Sequence, residues 1–488
     1  MAATDFTYAS AAEMAAALAA KQVSAVELAR AAIARMEACE PRLNAVCVLD
    51  FERGLEAARA ADVRLARGER GALIGVPMTI KESFNLAGTS TTWGAPEARD
   101  FHPAEDALAV QRVKRAGAVI LAKTNVPLNL ADWQSYNEVY GVTNNPYDLG
   151  RSPGGSSGGS AAALAAGYGA LSLGSDIGGS LRVPAAFCGV AAHKPTHNLC
   201  PPRGHTPPRA PALPGSIDLS VIGPMARYAA DLQPLLDVLA GPDGLDDGVA
   251  YRLELPPPRV RKLGELRVLA LTRHPMTDAE ACVTQALEAL AGNLARAGAK
   301  VARTSEKLPD LAAMTRIYCR LLLATFFARW PDSAYANLRV AASRLRPDDA
   351  SLYAERLRGA TSSFRDWFAD HVKRNAIRAR WRAFFQDFDA LICPVTPTPA
   401  FPHDHNPDQE ARVLVVNGKP HPYGDSLLWS GLATLPGLPA TVIPIGRSPE
   451  GLPIGAQIVG PWLEDRTPIE LAALIEREFG VFAPPPGF

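Results

Sequence analysis

Helical and strand-like segments alternate along most of this chain, and this limits the folds open to it. Residues 107–116 have the pattern of a helix and lead into an apolar, strand-like run at 118–123. Two more runs, at 390–395 and 438–444, are apolar almost throughout, as in strands that are buried on both faces. This mixture predicts an α/β fold with a large sheet that is covered by helices on both faces.

Composition agrees with a protein that buries a large core. The 488 residues are 48% hydrophobic and 20% charged, which excludes a disordered chain. Length alone suggests about three domains of ~150 residues, although a single large α/β domain also fits. The formal net charge is +0, so the sequence offers no electrostatic basis for binding nucleic acid or an anionic membrane.

Cysteine usage and the N-terminal segment bear on the cellular compartment. The seven cysteines are odd in number and contain no C-x-x-C pair, which disfavours a disulfide scaffold or a zinc ribbon. The first 22 residues carry Asp5 and Glu13 but no basic stretch before the apolar part, so they do not resemble a signal peptide. No run approaches the ~18 apolar residues of a membrane span. The expectation is a soluble, cytoplasmic protein.

The segment most informative about chemistry is the Gly/Ser-rich stretch 152–182, SPGGSSGGSAAALAAGYGALSLGSDIGGSLR. A flexible linker would not lie between apolar elements of one core. A phosphate-binding loop would end in Gly-Lys-Ser or Gly-Lys-Thr, which is absent here. The remaining interpretation is a site with a nucleophilic serine.

Two serines compete for that role. Ser157 lies in a G-x-S-x-G pattern, as in the nucleophile elbow of α/β-hydrolases, but that elbow needs a strand just before the serine, and residues 145–154 are loop-like. Ser180 instead follows a strand-like run and a turn that contains Gly178 and Gly179. Glycines allow consecutive N–H groups to point into one concavity, which can bind an oxyanion. Ser180 is therefore the better candidate.

This stretch resembles the signature of the amidase signature family, and the resemblance covers most of the chain, most weakly over about 245–390. Residues 72–80 have strand character, and Lys81 follows them directly in a segment that resembles the family's lysine segment. Further segments that fit are 123–125, 141–146, 184–189, 194–196, 394–397 and 451–457.

The resemblance implies one large domain over residues 1–488, with a mixed, mostly parallel twisted sheet. It also implies an amidohydrolase of linear amides with a Ser–Ser–Lys triad. Ser180 would be the nucleophile that forms an acyl-enzyme, Ser156 the bridging serine on a cis peptide, and Lys81 the base. Such a base must be neutral, so burial must lower its pKa.

Other residues receive supporting roles from the same resemblance. The N–H groups of Ile177, Gly178 and Gly179, together with that of Ser180, would form the oxyanion hole. We expect Ser157 to donate hydrogen bonds that hold the arrangement. Two charged residues, Asp176 and Arg182, are expected to brace the loop rather than to take part in the chemistry.

The substrate pocket is expected in a more variable helical region at about 310–390. Twelve aromatic residues lie there, and the simplest interpretation is that they form a helix core. We hypothesise that some line an apolar pocket for aryl or alkyl amides, including anilides, with esters or carbamates as further substrates. Trp133 and Tyr136 are additional pocket candidates. The twelve are Tyr318, Phe326, Phe327, Trp330, Tyr335, Tyr353, Phe364, Trp367, Phe368, Trp381, Phe384 and Phe385.

Alternative functions remain open at this point. A glutaminase subunit of a tRNA-dependent amidotransferase belongs to the same family, but residues 213–224 and 310–415 do not resemble that subunit. An esterase that uses Ser157 is a further alternative. His403 and His405 lack a third ligand at a known spacing, so no metal and no cofactor are predicted. The expected partner is a small-molecule amide, without nucleic acid or membrane, and a homodimer is left open.

Overall fold

The computed structural model describes residues 5–328, 330–480 and 482–488, so residues 1–4, 329 and 481 of the predicted domain lie outside the described residues. Its strands are β1 Val46–Leu49, β2 Pro77–Lys81, β3 Val119–Thr124, β4 Tyr136–Asn137, β5 Gly141–Val142, β6 Leu171–Asp176, β7 Ala191–Lys194, β8 Val221–Ala226, β9 Arg267–Ala270, β10 Lys300–Ala302, β11 Ala390–Pro394, β12 Val413–Val416, β13 Lys419–Pro422, β14 Ala440–Arg447 and β15 Pro453–Val459. Its helices are α1 Ala11–Ala19, α2 Ala25–Leu43, α3 Phe51–Ala66, α4 Leu108–Arg115, α5 Gly158–Ala165, α6 Arg182–Phe187, α7 Leu232–Leu239, α8 Ala281–Arg296, α9 Leu311–Phe327, α10 Asp332–Ser343, α11 Leu352–Ala360, α12 Phe364–Asp387, α13 Leu427–Thr434 and α14 Arg466–Phe479.

Eleven of these strands form one sheet in the order β1-β3-β2-β6-β8-β7-β14-β15-β11-β9-β10. Two blocks are parallel, β3-β2-β6 and β11-β9-β10. Between the blocks and at the β1 edge, neighbours are antiparallel, because β8 runs back beside β6 and β14 and β15 pair as consecutive strands. The predicted mixed sheet is confirmed, with its parallel pairing confined to the two blocks and less extensive than predicted.

Both faces of this sheet are covered. Every residue of β2, β3, β6, β8 and β15 is buried. Because alternate residues of a strand point to opposite faces, continuous burial requires a layer on each side. Helix α5 packs against β2 and β6, and α8 packs against β11. The predicted α/β fold as a single large domain is therefore confirmed, and the estimate of three domains from length is wrong.

The region at 310–390 consists of α9 to α12. Its aromatic residues divide into two groups. Trp381, Phe384 and Phe385 lie in a core cluster with α9, as the simplest interpretation predicts. Four others are exposed at the surface instead: Trp330, Tyr353, Phe364 and Phe368. Within the described ranges, no helix has the length and apolarity needed to cross a membrane.

Candidate active site

The carboxyl ends of two parallel strands place the main candidates at one edge of the sheet. Lys81 is the last residue of β2, which pairs in parallel with β6, and β6 ends at Ser175 and Asp176. The Gly/Ser loop lies over the same edge because it leads into α5, which packs on both strands. Residues far apart in sequence thus meet at this edge of the sheet.

The amine of Lys81 lies between two serine hydroxyls. Its Nζ is 2.7 Å from Ser156 Oγ and 2.9 Å from Ser175 Oγ, and the side chain is completely buried. Burial lowers the pKa of Lys81 to about 7, although the negative charges of Asp176 and Glu82 act in the opposite direction. A large fraction of Lys81 is therefore uncharged at neutral pH and able to accept a proton.

The backbone of the Gly/Ser loop lies directly against a neighbouring segment. The peptide bond Gly155–Ser156 is cis. A Cβ at position 155 would collide with the carbonyl oxygen of Asp132, so only glycine allows this approach. At the next position, the N–H of Ser157 donates to the carbonyl of Ser180 at 3.2 Å. This bond joins the Gly/Ser loop to the turn that carries Ser180.

The turn at 176–180, here called the oxyanion loop, is organised around the Asp176 carboxylate. Ser180 is 6% exposed. The N–H of Gly179 donates to Asp176 Oδ1 at 2.9 Å, so this predicted oxyanion donor is already engaged. Among the described residues, the N–H groups of Ile177, Gly178 and Ser180 have no hydrogen-bond acceptor. The available donors therefore differ from the predicted set at Gly179.

Asp176 and Arg182 form a completely buried ion pair. The guanidinium contacts both carboxylate oxygens, at 2.8 and 2.9 Å, and donates to the carbonyl of Ser430 at 3.0 Å. Burial alone would raise the pKa of Asp176, but the charge and hydrogen bonds of Arg182 outweigh it and lower the pKa to about 2. Both residues thus lie behind the loop, where they fix its backbone.

The two aromatic pocket candidates have different surroundings. Trp133 is 7% exposed, and its indole Nε1 donates to the carbonyl of Gly178 at 2.9 Å. Tyr136 faces away from the serines: its hydroxyl accepts from Arg412 at 2.8 Å, and its ring stacks on His405 at a centroid distance of 4.0 Å. The structure brings Trp133, but not Tyr136, into hydrogen-bond contact with the oxyanion loop.

Sequence reasoning missed two residues that contact the site. Ser175 lies beside Lys81 because it belongs to β6, and the pairing of β6 with β2 was the signal that could have identified it. Tyr318 on α9 is completely buried, and its hydroxyl donates to the carbonyl of Ile177 at 3.0 Å. No local motif marks this tyrosine among the aromatics of its region.

A metal centre has no support within the described residues, where no group of three or more His, Cys, Asp or Glu side chains could hold an ion. The rings of His403 and His405 are 5.4 Å apart, without a third ligand of this kind. The chemistry available at the site therefore comes from hydroxyls, the Lys81 amine and backbone N–H groups. Such a set is suited to acyl transfer.

Comparisons with known proteins agree with this chemistry. The sequence model of the Amidase family matches residues 27–468. Indoleacetamide hydrolase of Bradyrhizobium diazoefficiens is 34% identical over 97% of this chain and 87% of its own length. A glutamyl-tRNA(Gln) amidotransferase subunit of Acidothermus cellulolyticus is also 34% identical, over 98% and 95%. A solved structure from a vestigial complex, described in connection with the origins of an s-triazine catabolic enzyme, is 30% identical, with a TM-score of 0.79 over 97% of this chain and 99% of its own.

Proposed function

The chain belongs to the amidase signature family of amidohydrolases, and on that premise we propose that it hydrolyses amide C–N bonds through Lys81, Ser156 and Ser180. The observation that carries this proposal is the position of the buried Lys81 amine, 2.7 Å from Ser156 Oγ. A lysine with a pKa of about 7 can act as a base near neutral pH.

In the proposed reaction, Ser180 Oγ attacks the amide carbonyl carbon. Its proton passes to Ser156, while the proton of Ser156 passes to Lys81 Nζ. The tetrahedral intermediate then expels the amine, which takes a proton back through the same relay. This leaves an acyl ester on Ser180. Water attacks the ester by the same proton route and releases the acid.

The negative oxygen of the intermediate is stabilised by backbone N–H groups. Those of Ile177, Gly178 and Ser180 are the proposed donors because they have no acceptor among the described residues. The N–H of Gly179 instead holds Asp176, which keeps the loop in shape. Preorganised donors of this kind contribute about 10²–10³-fold each to rates of acyl transfer.

The surroundings of the oxyanion loop favour an apolar substrate. Leu427 Cδ2 lies 3.2 Å from the position of a Cβ on Gly178, and the partly buried Ile177 packs in the same apolar cluster as Tyr318. Nearby charges are already paired, as in the ion pair of Asp132 with Arg412. We therefore propose that α9, in the variable helical region at about 310–390, contributes to a pocket for aryl or alkyl amides, with anilides, esters or carbamates as further substrates.

A serine-directed fluorophosphonate tests the nucleophile. We expect mass spectrometry to place the adduct on Ser180, and Ser180→Ala to lose both the adduct and turnover of the aryl amide 4-nitroacetanilide. Ser157→Ala is the matched control, since it removes the neighbouring candidate and should still be labelled. An adduct on Ser157 would instead support an esterase of the α/β-hydrolase type.

A glutaminase activity is the second candidate, because the amidotransferase relative is as similar in sequence as the indoleacetamide hydrolase. Free glutamine carries a charged amino and a charged carboxylate group, whereas the neighbours of Gly178 named above are apolar or aromatic. We expect kcat/KM for 4-nitroacetanilide to exceed that for glutamine. Efficient glutamine hydrolysis, in the isolated chain or only with partner subunits and tRNA, would favour the amidotransferase role.

A further inference from the structure

The carbonyl groups of the oxyanion loop are held from outside by two buried aromatic side chains. The hydroxyl of Tyr318 donates to the carbonyl of Ile177 at 3.0 Å, and the indole of Trp133 donates to the carbonyl of Gly178 at 2.9 Å. Tyr318 comes from α9, and Trp133 comes from the segment between β3 and β4. Two separate parts of the fold thus meet on consecutive peptide units of one loop.

Peptide geometry connects these carbonyls to the N–H groups that follow them. In a planar trans peptide, the C=O of one residue and the N–H of the next point in opposite directions. The Ile177–Gly178 bond is trans. With its carbonyl directed at Tyr318, the N–H of Gly178 must point away from the tyrosine hydroxyl. The direction of this N–H therefore depends on where the carbonyl is held.

The two peptide units differ in how completely they are held. In the unit between Gly178 and Gly179, the carbonyl accepts from Trp133 and the N–H donates to Asp176, so both ends are fixed. In the unit between Ile177 and Gly178, only the carbonyl has a partner, which is Tyr318. Since glycine rotates with little steric penalty, loss of that partner would leave this unit free to turn.

We propose that Tyr318 is a positioning residue: its hydroxyl fixes the Ile177–Gly178 peptide so that the N–H of Gly178 points at the developing oxyanion. The inference rests on the proposed function, because it requires an acyl transfer at Ser180. The ring of Tyr318 belongs to a buried apolar cluster, so a structural role and a positioning role can be separated by removing the hydroxyl alone.

The test is Tyr318→Phe, which keeps the ring and deletes the donor. With 4-nitroacetanilide as substrate, we expect kcat to fall by about 10- to 100-fold while KM changes little, because the lost interaction forms mainly in the transition state. The probe 1,1,1-trifluoro-3-phenylpropan-2-one should weaken as an inhibitor by a similar factor. Ser180 Oγ adds to its ketone carbon, the carbonyl electron pair becomes an alkoxide in the hole, and the proton passes through Ser156 to Lys81.

Tyr168→Phe is the matched control. Tyr168 is equally buried, but its hydroxyl makes no hydrogen bond to the oxyanion loop. We expect this variant to keep the wild-type kcat and inhibitor affinity, with a similar thermal unfolding midpoint to Tyr318→Phe. Equal inhibitor affinity in Tyr318→Phe and the wild type would overturn the positioning role while leaving the proposed function standing. A wild-type enzyme that forms no Ser180 adduct with the ketone would overturn the proposed function, and the inference with it.

Discussion

At the scale of single residues, burial alone does not explain why Lys81 is suited to catalysis. Lys123 and Lys194 are equally buried, and burial lowers their pKa values to about 8 and about 7. Their amines, however, donate to backbone carbonyls, of Ser90 and Pro195 respectively. Lys81 differs in that it contacts two serine hydroxyls and no carbonyl. The hydroxyl partners provide the route by which a proton can arrive.

The pKa of Lys81 sets the expected dependence of rate on pH. The base acts in its neutral form, so kcat/KM should fall about tenfold per pH unit below about 7 and level off above it. The measurement is kcat/KM for 4-nitroacetanilide between pH 5.5 and 9.5. Lys81→Arg keeps a positive charge throughout this range and should be inactive at every pH. A wild-type rate that increases towards acid would contradict a neutral lysine base.

At the scale of elements, the oxyanion loop depends on a backbone conformation that only glycine adopts easily. Gly179 has a φ of +97°, and a Cβ there would collide with Ser430 Oγ on α13. The loop follows β6 and precedes α6, and the buried Asp176 accepts N–H groups from its turn. The shape of the loop therefore depends on contacts with α13 as well as on its own sequence.

Replacement of this glycine should abolish activity through geometry. We expect Gly179→Ala to lower kcat more than about 10²-fold, because the donors for the oxyanion move. Gly418→Ala is the control: Gly418 also has a positive φ, of +75°, but no atom lies within 4 Å of its added Cβ. It should cost about 1 kcal/mol of unfolding free energy and leave kcat unchanged. Steady-state kinetics and urea denaturation of both variants provide the measurement.

Patterns within single elements predicted much of this arrangement. The apolar run at 118–123 became β3, and the run at 390–395 became β11. The strand predicted at 72–80 begins only at Pro77, because residues 72–75 form a turn in which Gly75 has a positive φ. Local patterns were less informative wherever pairing between distant strands decided the outcome, as for the antiparallel neighbours in the middle of the sheet.

Site residues divide in the same way. The glycines and serines of the signature could be identified because they are close together in sequence. Ser175 and Tyr318 could not, since their roles depend on which strand lies beside β2 and on where α9 packs. The engagement of the Gly179 N–H by Asp176 was also out of reach, because it depends on one rotamer of a buried carboxylate.

At the scale of the whole molecule, a buried carboxylate ties the C-terminal part of the chain to the sheet. Asp465 precedes α14 and is completely buried. It accepts from the N–H and the hydroxyl of Thr196, at 2.7 and 2.6 Å, and from His193 at 3.0 Å. Burial lowers the pKa of His193, so this last contact is a hydrogen bond from a neutral imidazole.

Loss of this carboxylate should destabilise the fold strongly. Asp465→Ala leaves buried donors on Thr196 and His193 without an acceptor, and we expect it to lower the free energy of unfolding by about 3–5 kcal/mol. Urea denaturation monitored by tryptophan fluorescence provides the measurement. Glu470→Ala is the control, because it removes only an ion pair with Arg477, whose side chain is 64% exposed. That change should stay within about 0.5 kcal/mol. Similar losses in both variants would contradict the role assigned to Asp465.

The order of strands in the sheet has a consequence for how the chain is made. β14 and β15 are made after the other strands of the large sheet but lie inside it, between β7 and β11. While a ribosome is still extending the chain, the segments before residue 440 can form two partial sheets with unpaired edges at β7 and β11. Unpaired edges attract other strands, including those of neighbouring nascent chains. Completion of the sheet therefore waits until residues 440–459 have emerged from the ribosome, which makes chaperone protection most valuable late in synthesis.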